Sequence, residues 1–231
     1  MSTFLNELFS GQDFDPAGFF LIAGPCVVES EDLVFDVAGR VSEICRKHRI
    51  PLVFKASYKK ANRTSASSFT GLGDKKGLEI LQKAARHFNL PVTTDIHSEA
   101  EARLAAGYVD ILQIPAFLCR QTELLVAAGQ TGKIVNVKKG QFVSGEAMRF
   151  AVEKIRQAGN DNILLTERGT TFGYQDLVVD YRNIPIMKNT GVPVVMDCTH
   201  SLQQPNQTSG VTGGNPQLIG TIASAAIAAG T

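Results

Sequence analysis

A group of basic side chains follows a short apolar run in the stretch VFKASYKKANRTSASS (residues 53–68). The Ser, Ala, Asn and Thr residues between them break the spacing of an amphipathic helix, so the chain is predicted to leave a strand here and enter an irregular loop. Loops that follow strands often carry binding and catalytic groups. Clustered ammonium and guanidinium groups suit small anions such as phosphates and carboxylates. The basic residues of this stretch are Lys55, Lys59, Lys60 and Arg63.

Further apolar runs also end at or near polar side chains. Because the carboxyl ends of parallel strands share one edge or mouth, basic groups from several strands would repel one another there unless an anion lies among them. The alternative is that each is a surface cation whose stem covers apolar neighbours. The polar residues at the run ends are Cys26, Lys55, Asp95, Gln113, Lys138, Arg168 and His200, and the cations of the predicted mouth are Lys55, Lys60, Arg63, Lys138 and Arg168.

Several of these residues have more than one chemical interpretation. Lys55 or Lys138 could form a Schiff base, because a desolvated lysine among other cations becomes nucleophilic. The sequence does not separate an imine-forming lysine from a phosphate-binding one. Asp95, His97 and Asp197 could orient a substrate or only accept hydrogen bonds from loop amides.

Cys26 and His200 follow the first and the last of the apolar runs. A thiolate and an imidazole could bind zinc or iron, although two ligands make only half of a tetrahedral site. A buried cysteine and a capping histidine without metal are the alternative. The chain has four cysteines and no C-x-x-C pair, so reduced thiols are expected, with Cys45 and Cys198 in the core.

Apolar runs alternate with helical patterns along the whole chain, and the first helix is predicted to begin after Ser30 as its N-cap. This alternation predicts a parallel sheet covered by helices. No G-x-G-x-x-G follows the first run, and polar groups end most runs, so a (β/α)8 TIM barrel is favoured over an open doubly wound sheet. The seven predicted strands lie within residues 19–24, 50–56, 90–96, 108–114, 133–138, 162–167 and 192–197.

The strand count predicts a single barrel domain over residues 1–231 that is truncated before the eighth strand–helix unit. A barrel without its last strand would expose two sheet edges, so the chain is expected to be unstable or weakly active.

Two glycine-rich stretches are candidate ligand loops: ERGTTFGY (167–174), which contains Arg168, and GVTGGNP (210–216), which could bind an anion at the start of the last helix or only connect elements.

The composition excludes several classes of protein. The 23 basic and 22 acidic residues nearly cancel, so no broad basic surface for nucleic acid or an anionic membrane is expected. The amino-terminal stretch has no basic leader, and no apolar run reaches the roughly 20 residues of a membrane span. A soluble cytoplasmic protein is therefore predicted.

Seven stretches together resemble 3-deoxy-D-manno-octulosonate 8-phosphate synthase, in order and over nearly the whole chain. The resemblance implies a (β/α)8 barrel, usually tetrameric, that condenses phosphoenolpyruvate with D-arabinose 5-phosphate and water and releases phosphate. The stretches are GPCVVES, FKASYKKANRTS, TDIH, QIPAFLCRQT, NVKKGQF, ERGTTFGYQDLVVD and DCTHSLQQPN.

The resemblance also implies roles for individual residues. Arg120 would reach the sugar phosphate of a neighbouring subunit, and Lys55 would support the anion-binding cations. Phosphoenolpyruvate would be held by Lys60, Lys138, Arg168, Gln113 and the backbone of Ala116, and arabinose 5-phosphate by Asn62, Arg63 and Thr64, with Ser57 as a further substrate-binding residue. The expected catalytic residues are Lys60, Lys138, His200 and Asp95.

A cysteine at position 26 resembles the metal-dependent branch of the family, where the other branch has asparagine. Cys26 and His200 would then bind a divalent metal such as Zn, Fe or Mn, and no organic cofactor is expected. The family's remaining ligands, a Glu and an Asp, would lie beyond Thr231.

Three alternatives to this function stay open. A relative of 3-deoxy-D-arabino-heptulosonate 7-phosphate synthase would use erythrose 4-phosphate, but that family typically has Lys-Pro-Arg-Thr where this chain has KANRT, so Asn62 favours the five-carbon sugar. An imine-forming aldolase is the second. A non-catalytic phosphate-binding fragment is the third, because of the predicted truncation.

Overall fold

A computed structural model describes residues 3–61, 69–173, 176–204 and 212–231. The chain divides into two compact units, whose described parts are residues 3–61 with 69–113 and residues 114–173, 176–204 and 212–231. Asn62, Arg63 and Thr64, the predicted sugar-phosphate ligands, lie outside the described residues.

The first unit is built from parallel strands that alternate with helices. Strands β1 to β4 are hydrogen-bonded in chain order, with Leu21 opposite Leu52, Phe54 opposite Val92, and Thr93 opposite Ile111. The elements are α1 (Thr3–Leu8), β1 (Leu21–Ala23), α2 (Glu31–His48), β2 (Leu52–Lys55), α3 (Asp74–Phe88), β3 (Val92–Asp95), α4 (Glu99–Ala105) and β4 (Ile111–Ile114).

Local sequence signals fix the ends of these helices. The Ser30 hydroxyl accepts a hydrogen bond from the Leu33 backbone N–H at 3.1 Å, so the predicted N-cap of α2 is confirmed. Ser98 caps α4 in the same way, by accepting from Glu101 N–H at 3.2 Å. Helices α2 and α3 end at residues in the left-handed conformation, Arg49 and Asn89, each with φ 53°.

Burial explains why the strands read as continuous apolar runs. Leu52, Val53 and Phe54 of β2 are buried, as are the first three residues of β3. Strands that are covered on both faces favour apolar residues at successive positions. The two buried threonines of β3 are tolerated because their hydroxyls are hydrogen-bonded: Thr93 donates to the Ile111 carbonyl and Thr94 accepts from the Tyr58 N–H. The last residue of each strand, Lys55 and Asp95, is only half-buried. The strand bodies therefore belong to the core, while the charged residues that end them remain partly accessible.

The second unit repeats the alternation and adds two antiparallel pairs. Strands β5, β6 and β9 are parallel in that order, with Val135 opposite Ile163 and Leu165 opposite Val194. Its elements include α5 (Thr122–Gln130), β5 (Ile134–Lys138), α6 (Arg149–Gln157), β6 (Ile163–Glu167), β7 (Thr170–Gly173), β8 (Asp176–Val178), α7 (Asn183–Lys188), β9 (Val194–Met196), β10 (Gln203–Gln204), β11 (Gly213–Gly214) and α8 (Ile219–Ala228). Short 3-10 helices span Ala116–Leu118, Glu146–Met148, His200–Leu202 and Pro216–Leu218.

Parallel strands that alternate with helices along the chain are the architecture of the (β/α)8 barrel class. The predicted fold class is therefore confirmed. Seven parallel strands occur in the described residues, each within a run identified from the sequence. No eighth parallel strand occurs among those residues. None of the described helices combines the length and the apolarity needed to cross a membrane.

Two predicted loops have more structure than the sequence indicated. The residues after Arg168 form β7, which pairs antiparallel with β8, Thr170 opposite Val178. The described part of the second glycine-rich stretch contains β11, whose residues pair with β10. Both antiparallel pairs are short, and β7 and β11 contain glycine, which strand propensities disfavour.

Candidate active site

The first unit carries a cluster of polar side chains at the carboxyl ends of β2, β3 and β4. Lys55 Nζ lies 3.2 Å from Asp95 Oδ2 and donates to Ser57 Oγ at 2.9 Å. Ser57 in turn donates to Asp95. Gln113 Nε2 donates to Asp95 Oδ1 at 2.6 Å. We call Lys55, Ser57, Asp95 and Gln113 the first strand-end cluster. Three residues that the sequence assigned to one site thus surround the carboxylate of the fourth, Asp95.

Lys60 and Cys26 also meet in the first unit. Lys60 Nζ lies 2.6 Å from Cys26 Sγ. The two chain segments are aligned by a bridge between Val27 and Ser57, in which Val28 N–H donates to Ser57 O at 2.9 Å. The start of the basic loop is thus in direct contact with the segment that carries Cys26.

A half-buried carboxylate that the sequence did not single out anchors the start of the basic loop. Glu101 accepts hydrogen bonds from Tyr58 OH at 2.8 Å and from Lys59 Nζ at 3.3 Å. It also accepts from the backbone N–H of His97 and lies 2.9 Å from His97 Nδ1. Burial would raise the pKa of Glu101, but the hydrogen bonds and charge of His97 and the Tyr58 hydroxyl lower that pKa to about 2. Glu101 therefore stays ionised and holds the residues that precede Lys60.

The second unit has its own strand-end cluster, formed by Lys138, Asp197 and His200. Lys138 Nζ donates to Asp197 Oδ2, and His200 Nδ1 lies 2.7 Å from the same oxygen. Asp197 Oδ1 accepts from the backbone N–H groups of His200 at 2.9 Å and Thr199 at 3.2 Å. Burial opposes ionisation of Asp197, yet the Lys138 charge and the His200 hydrogen bond hold the pKa of Asp197 well below its usual value. We call these three residues the second strand-end cluster.

Arg168 lies beside the second strand-end cluster. Its Nη2 donates to the His200 carbonyl at 2.9 Å. Burial lowers the pKa of Arg168, while the charges of Asp197 and Glu167 act in the opposite direction. Within the described part of the chain, the buried Arg168 Nε has no hydrogen-bond partner. Lys138 and Arg168, both predicted to bind phosphoenolpyruvate, thus contact the same short segment, residues 197–200.

A fully buried ion pair in the second unit was missed from the sequence. Lys139 Nζ lies 3.5 Å from Glu167 Oε1, and both side chains are 0% exposed. Burial lowers the pKa of Lys139, and the Glu167 charge offsets part of that effect. The available signal was the pair of adjacent lysines at the end of β5. Successive strand residues point to opposite faces, so two lysines in a row cannot both face one site.

The remaining predicted residues are placed as follows. The Ala116 backbone lies in the 3-10 helix after β4, and Arg120 is exposed, with its carbonyl accepting from Lys154 Nζ at 3.3 Å. Cys45 is buried as predicted, whereas Cys198 is only half-buried because it follows the end of β9. All four cysteines are free thiols, as expected.

The two predicted metal ligands belong to different units, Cys26 to the first and His200 to the second. No group of three or more His, Cys, Asp or Glu side chains suited to a metal occurs among the described residues. The chemistry of both donors nevertheless fits a divalent metal. The contact of Asp197 with His200 Nδ1 is the carboxylate–histidine arrangement that commonly orients a metal-binding imidazole.

Comparison with known proteins agrees with these observations. The profile of the DAHP synthetase I family matches residues 6–231. The 2-dehydro-3-deoxyphosphooctonate aldolase of Koribacter versatilis is 53% identical over 229 residues, which cover 97% of this chain and 82% of that protein. The proteins of the same name from Brucella anthropi and Nitratidesulfovibrio vulgaris are 50% and 54% identical, over 93% and 91% of this chain and 77% of each relative. The chain therefore belongs to the DAHP synthetase I family, among the 2-dehydro-3-deoxyphosphooctonate aldolases.

Proposed function

We propose that the protein condenses phosphoenolpyruvate with D-arabinose 5-phosphate and water to give 3-deoxy-D-manno-octulosonate 8-phosphate and phosphate. The observation that carries the proposal is the identity of at least 50% to relatives named 2-dehydro-3-deoxyphosphooctonate aldolase, over more than nine-tenths of the chain. That name denotes the synthase to which the sequence motifs pointed, and its product is needed for lipopolysaccharide synthesis.

The geometry of each unit supports the binding of phosphorylated substrates. In the second unit, Lys138 and Arg168 contact one segment, and Arg168 Nε is a buried donor for which the described residues supply no acceptor. A phosphate or carboxylate oxygen accepts well from such a guanidinium. In the first unit, Lys55 and Lys60 lie at the end of β2 and in the loop after it. We assign phosphoenolpyruvate to Lys60, Lys138, Arg168, Gln113 and the Ala116 backbone.

The proposed reaction needs no covalent enzyme intermediate. C3 of the enol attacks the aldehyde carbon of arabinose 5-phosphate, and the aldehyde oxygen takes up a proton. Water adds at C2, where positive character develops, and gives up one proton, which balances the proton taken up by the aldehyde oxygen. The C–O bond to phosphate then breaks as the new C2 hydroxyl becomes the carbonyl, and its proton leaves with phosphate. The basic side chains offset the repulsion between two anionic substrates and hold C3 near the aldehyde, so proximity and electrostatics supply most of the acceleration.

Within each strand-end cluster, the carboxylate holds a lysine in place. Asp95 fixes Lys55 in the first, and Asp197 fixes Lys138 and the His200 ring in the second. The sugar-phosphate group is assigned to Asn62, Arg63 and Thr64, and Ser57 contributes through Lys55 and Asp95.

We also propose a divalent metal held by Cys26 and His200. Such a metal would supply Lewis-acid chemistry and would lower the pKa of bound water. The Cys26→Ala variant should then retain less metal than the parent protein after equilibration with Zn²⁺ and gel filtration, as measured by elemental analysis. Equal metal content in the two proteins would contradict Cys26 as a ligand.

Two further parts of the proposal follow from the same family. The protein is proposed to form a homo-oligomer in which Arg120 reaches the sugar phosphate bound by a neighbouring subunit. It is also proposed to act in the cytoplasm, where both phosphorylated substrates would be made.

A side-by-side assay of the two sugar phosphates tests the reaction. Phosphate release is expected with phosphoenolpyruvate and arabinose 5-phosphate, and much less with erythrose 4-phosphate. Turnover with erythrose 4-phosphate alone would favour the seven-carbon synthase instead. Lys138→Met is the negative control, because it removes one predicted phosphoenolpyruvate ligand.

Isotope labelling and trapping test the mechanism. Phosphoenolpyruvate labelled with ¹⁸O at the bridging oxygen should transfer the label to phosphate, because the proposed step breaks the C–O bond. Label retained in the sugar product would contradict that step. Borohydride should trap no substrate adduct on lysine, whereas a trapped adduct would establish the imine mechanism.

A further inference from the structure

We propose that the buried Lys139–Glu167 ion pair is a positioning device that sets the spacing between Lys138 and Arg168 for phosphoenolpyruvate. The inference rests on the proposed function, since it assigns both cations to that substrate. Neither Lys139 nor Glu167 would touch the substrate, because both side chains are fully buried in the second unit.

Lys139 ties together the two turns that follow β5 and β6. Its Nζ donates to the carbonyls of Gly140 and Val143, each at 3.3 Å, in the turn after β5. The same ammonium donates to the Gly169 carbonyl at 3.2 Å and to Thr170 Oγ1 at 3.1 Å, after β6. The Lys139 ammonium therefore contacts residues on the carboxyl side of both predicted substrate cations.

Glu167 fixes the backbone at Arg168 itself. Its Oε1 accepts from the Arg168 backbone N–H at 2.9 Å and from the Gly169 N–H at 2.6 Å. Gly169 has φ +86°, a conformation that favours glycine, so the chain turns sharply directly after Arg168. The direction in which the Arg168 side chain leaves the backbone is thus set by the Glu167 carboxylate.

The backbone around the pair reinforces the link. Lys139 N–H donates to the Thr166 carbonyl at 2.8 Å, and Lys138 lies opposite Thr166 in the strand register. Thr171 N–H donates to the Gln141 carbonyl at 2.9 Å. A shift of one turn would therefore displace the other, and with it the separation of the two cations.

The energetics of burial favour a geometric role over a stabilising one. Taking two charges out of water is unfavourable, and an apolar pair of similar volume is often at least as stable. Glu167 Oε2 is buried and has no hydrogen-bond partner within the described residues, which adds to the cost. An apolar pair could not provide the contacts that the Lys139 ammonium, with its three N–H donors, makes with four oxygen atoms at these turns, or the two hydrogen bonds that Glu167 accepts.

The test uses a double variant, Lys139→Met with Glu167→Gln, which replaces the ion pair by neutral side chains of similar size. The KM for phosphoenolpyruvate should rise at least about tenfold, because the turn contacts of Lys139 are lost, while the KM for arabinose 5-phosphate changes less than twofold. A KM for phosphoenolpyruvate within twofold of the parent value, in a folded double variant, would overturn the proposal.

A second variant covers the case in which the double variant does not fold. Glu167→Asp keeps both charges of the pair but withdraws the carboxylate from the Arg168 and Gly169 N–H groups. It should weaken phosphoenolpyruvate binding, measured by titration calorimetry, by about fivefold or more. Unchanged binding by a folded Glu167→Asp variant would equally overturn the proposal.

Controls separate this inference from the proposed function and from general destabilisation. Arg156→Met breaks an exposed ion pair of the same unit, in which Arg156 Nε lies 3.0 Å from Asp161 Oδ1, and should leave both KM values unchanged. An inactive parent protein would argue against the proposed function. An active parent with unaffected variants would argue only against the positioning role.

Discussion

Each unit sets a lysine against an aspartate at the ends of its strands, but the two pairs have different surroundings. Asp95 of the first strand-end cluster accepts from the neutral groups of Ser57 and Gln113 as well as facing Lys55. Asp197 of the second accepts from Lys138 and from the fixed backbone N–H groups of Thr199 and His200, and it lies against the His200 ring. The side chains of the lysine and the aspartate are similarly buried in both pairs, 14% and 14% exposed against 10% and 11%.

The difference indicates how each site tolerates the loss of its negative charge. The Ser57 hydroxyl and the Gln113 amide can rotate and present an oxygen as acceptor in place of an N–H or O–H donor. The first cluster can therefore rearrange around an uncharged side chain at position 95. Each lysine would lose its countercharge, but Lys55 keeps its hydrogen bond to Ser57 at 2.9 Å, whereas Lys138 loses the hydrogen bond that it donates to Asp197. The carboxylate of the second strand-end cluster should therefore matter more than that of the first.

The largest effect is expected from Asp197→Asn. This change leaves the Lys138 ammonium, 10% exposed, without its countercharge. Loss of one partner of a buried pair costs about 3 kcal/mol or more of unfolding free energy. Urea unfolding followed by circular dichroism measures the change. A loss of less than about 1 kcal/mol would show that water or another group neutralises Lys138.

A smaller loss, about 1 to 2 kcal/mol, is expected from Asp95→Asn. The asparagine oxygen can still accept from Gln113, and its amide can donate to Ser57, so only the charge opposite Lys55 is removed. The same urea measurement applies. If this variant is destabilised as much as Asp197→Asn, the comparison of the two clusters fails.

The carboxylate that anchors the basic loop predicts a pH dependence. Glu101 has a pKa of about 2 against an ordinary value of 4.5, so its contribution is fully present above pH 4.5 and is lost as the pH falls toward 2. Glu101→Gln should reduce the unfolding free energy at pH 7 by up to about 3 kcal/mol and flatten the stability profile between these pH values.

The measurement for Glu101 is urea unfolding at a series of pH values from 7 to 2. His97→Gln serves as a comparison, because it keeps a side-chain donor near Glu101 but removes the imidazole charge. Parallel acid profiles for the parent protein and Glu101→Gln would contradict the low pKa of Glu101.

Much of the fold could be predicted from the sequence because its signals are local. Each parallel strand in the described residues lies within a run identified from the sequence, and Ser30 caps α2 where the pattern placed it. The antiparallel pair of β7 and β8 was not predicted. Thr170 and Val178 meet through pairing partners that no local pattern specifies.

The residues of the candidate site also fall into those that local sequence signals locate and those that they do not. Strand ends locate Lys55, Asp95, Lys138 and their neighbours, because polar residues that end apolar runs stand out. Glu101 does not stand out, since it looks like an ordinary first-turn helix residue. Glu167 does end an apolar run, but the sequence does not show that it pairs with Lys139 rather than facing a substrate. Their roles depend on contacts with residues distant in sequence, such as Tyr58 and Lys139.

The smallest effect is expected at an ion pair outside both strand-end clusters. Arg40 Nε lies 2.9 Å from Asp36 Oδ1 on α2, with side chains 76% and 55% exposed. Water screens both charges before and after the change, so Asp36→Asn should alter the unfolding free energy by less than about 0.5 kcal/mol. The same urea titration at low and high salt measures it. A loss comparable to that of Asp95→Asn would mean that removing any carboxylate destabilises this chain, and burial could no longer explain the order of the other variants.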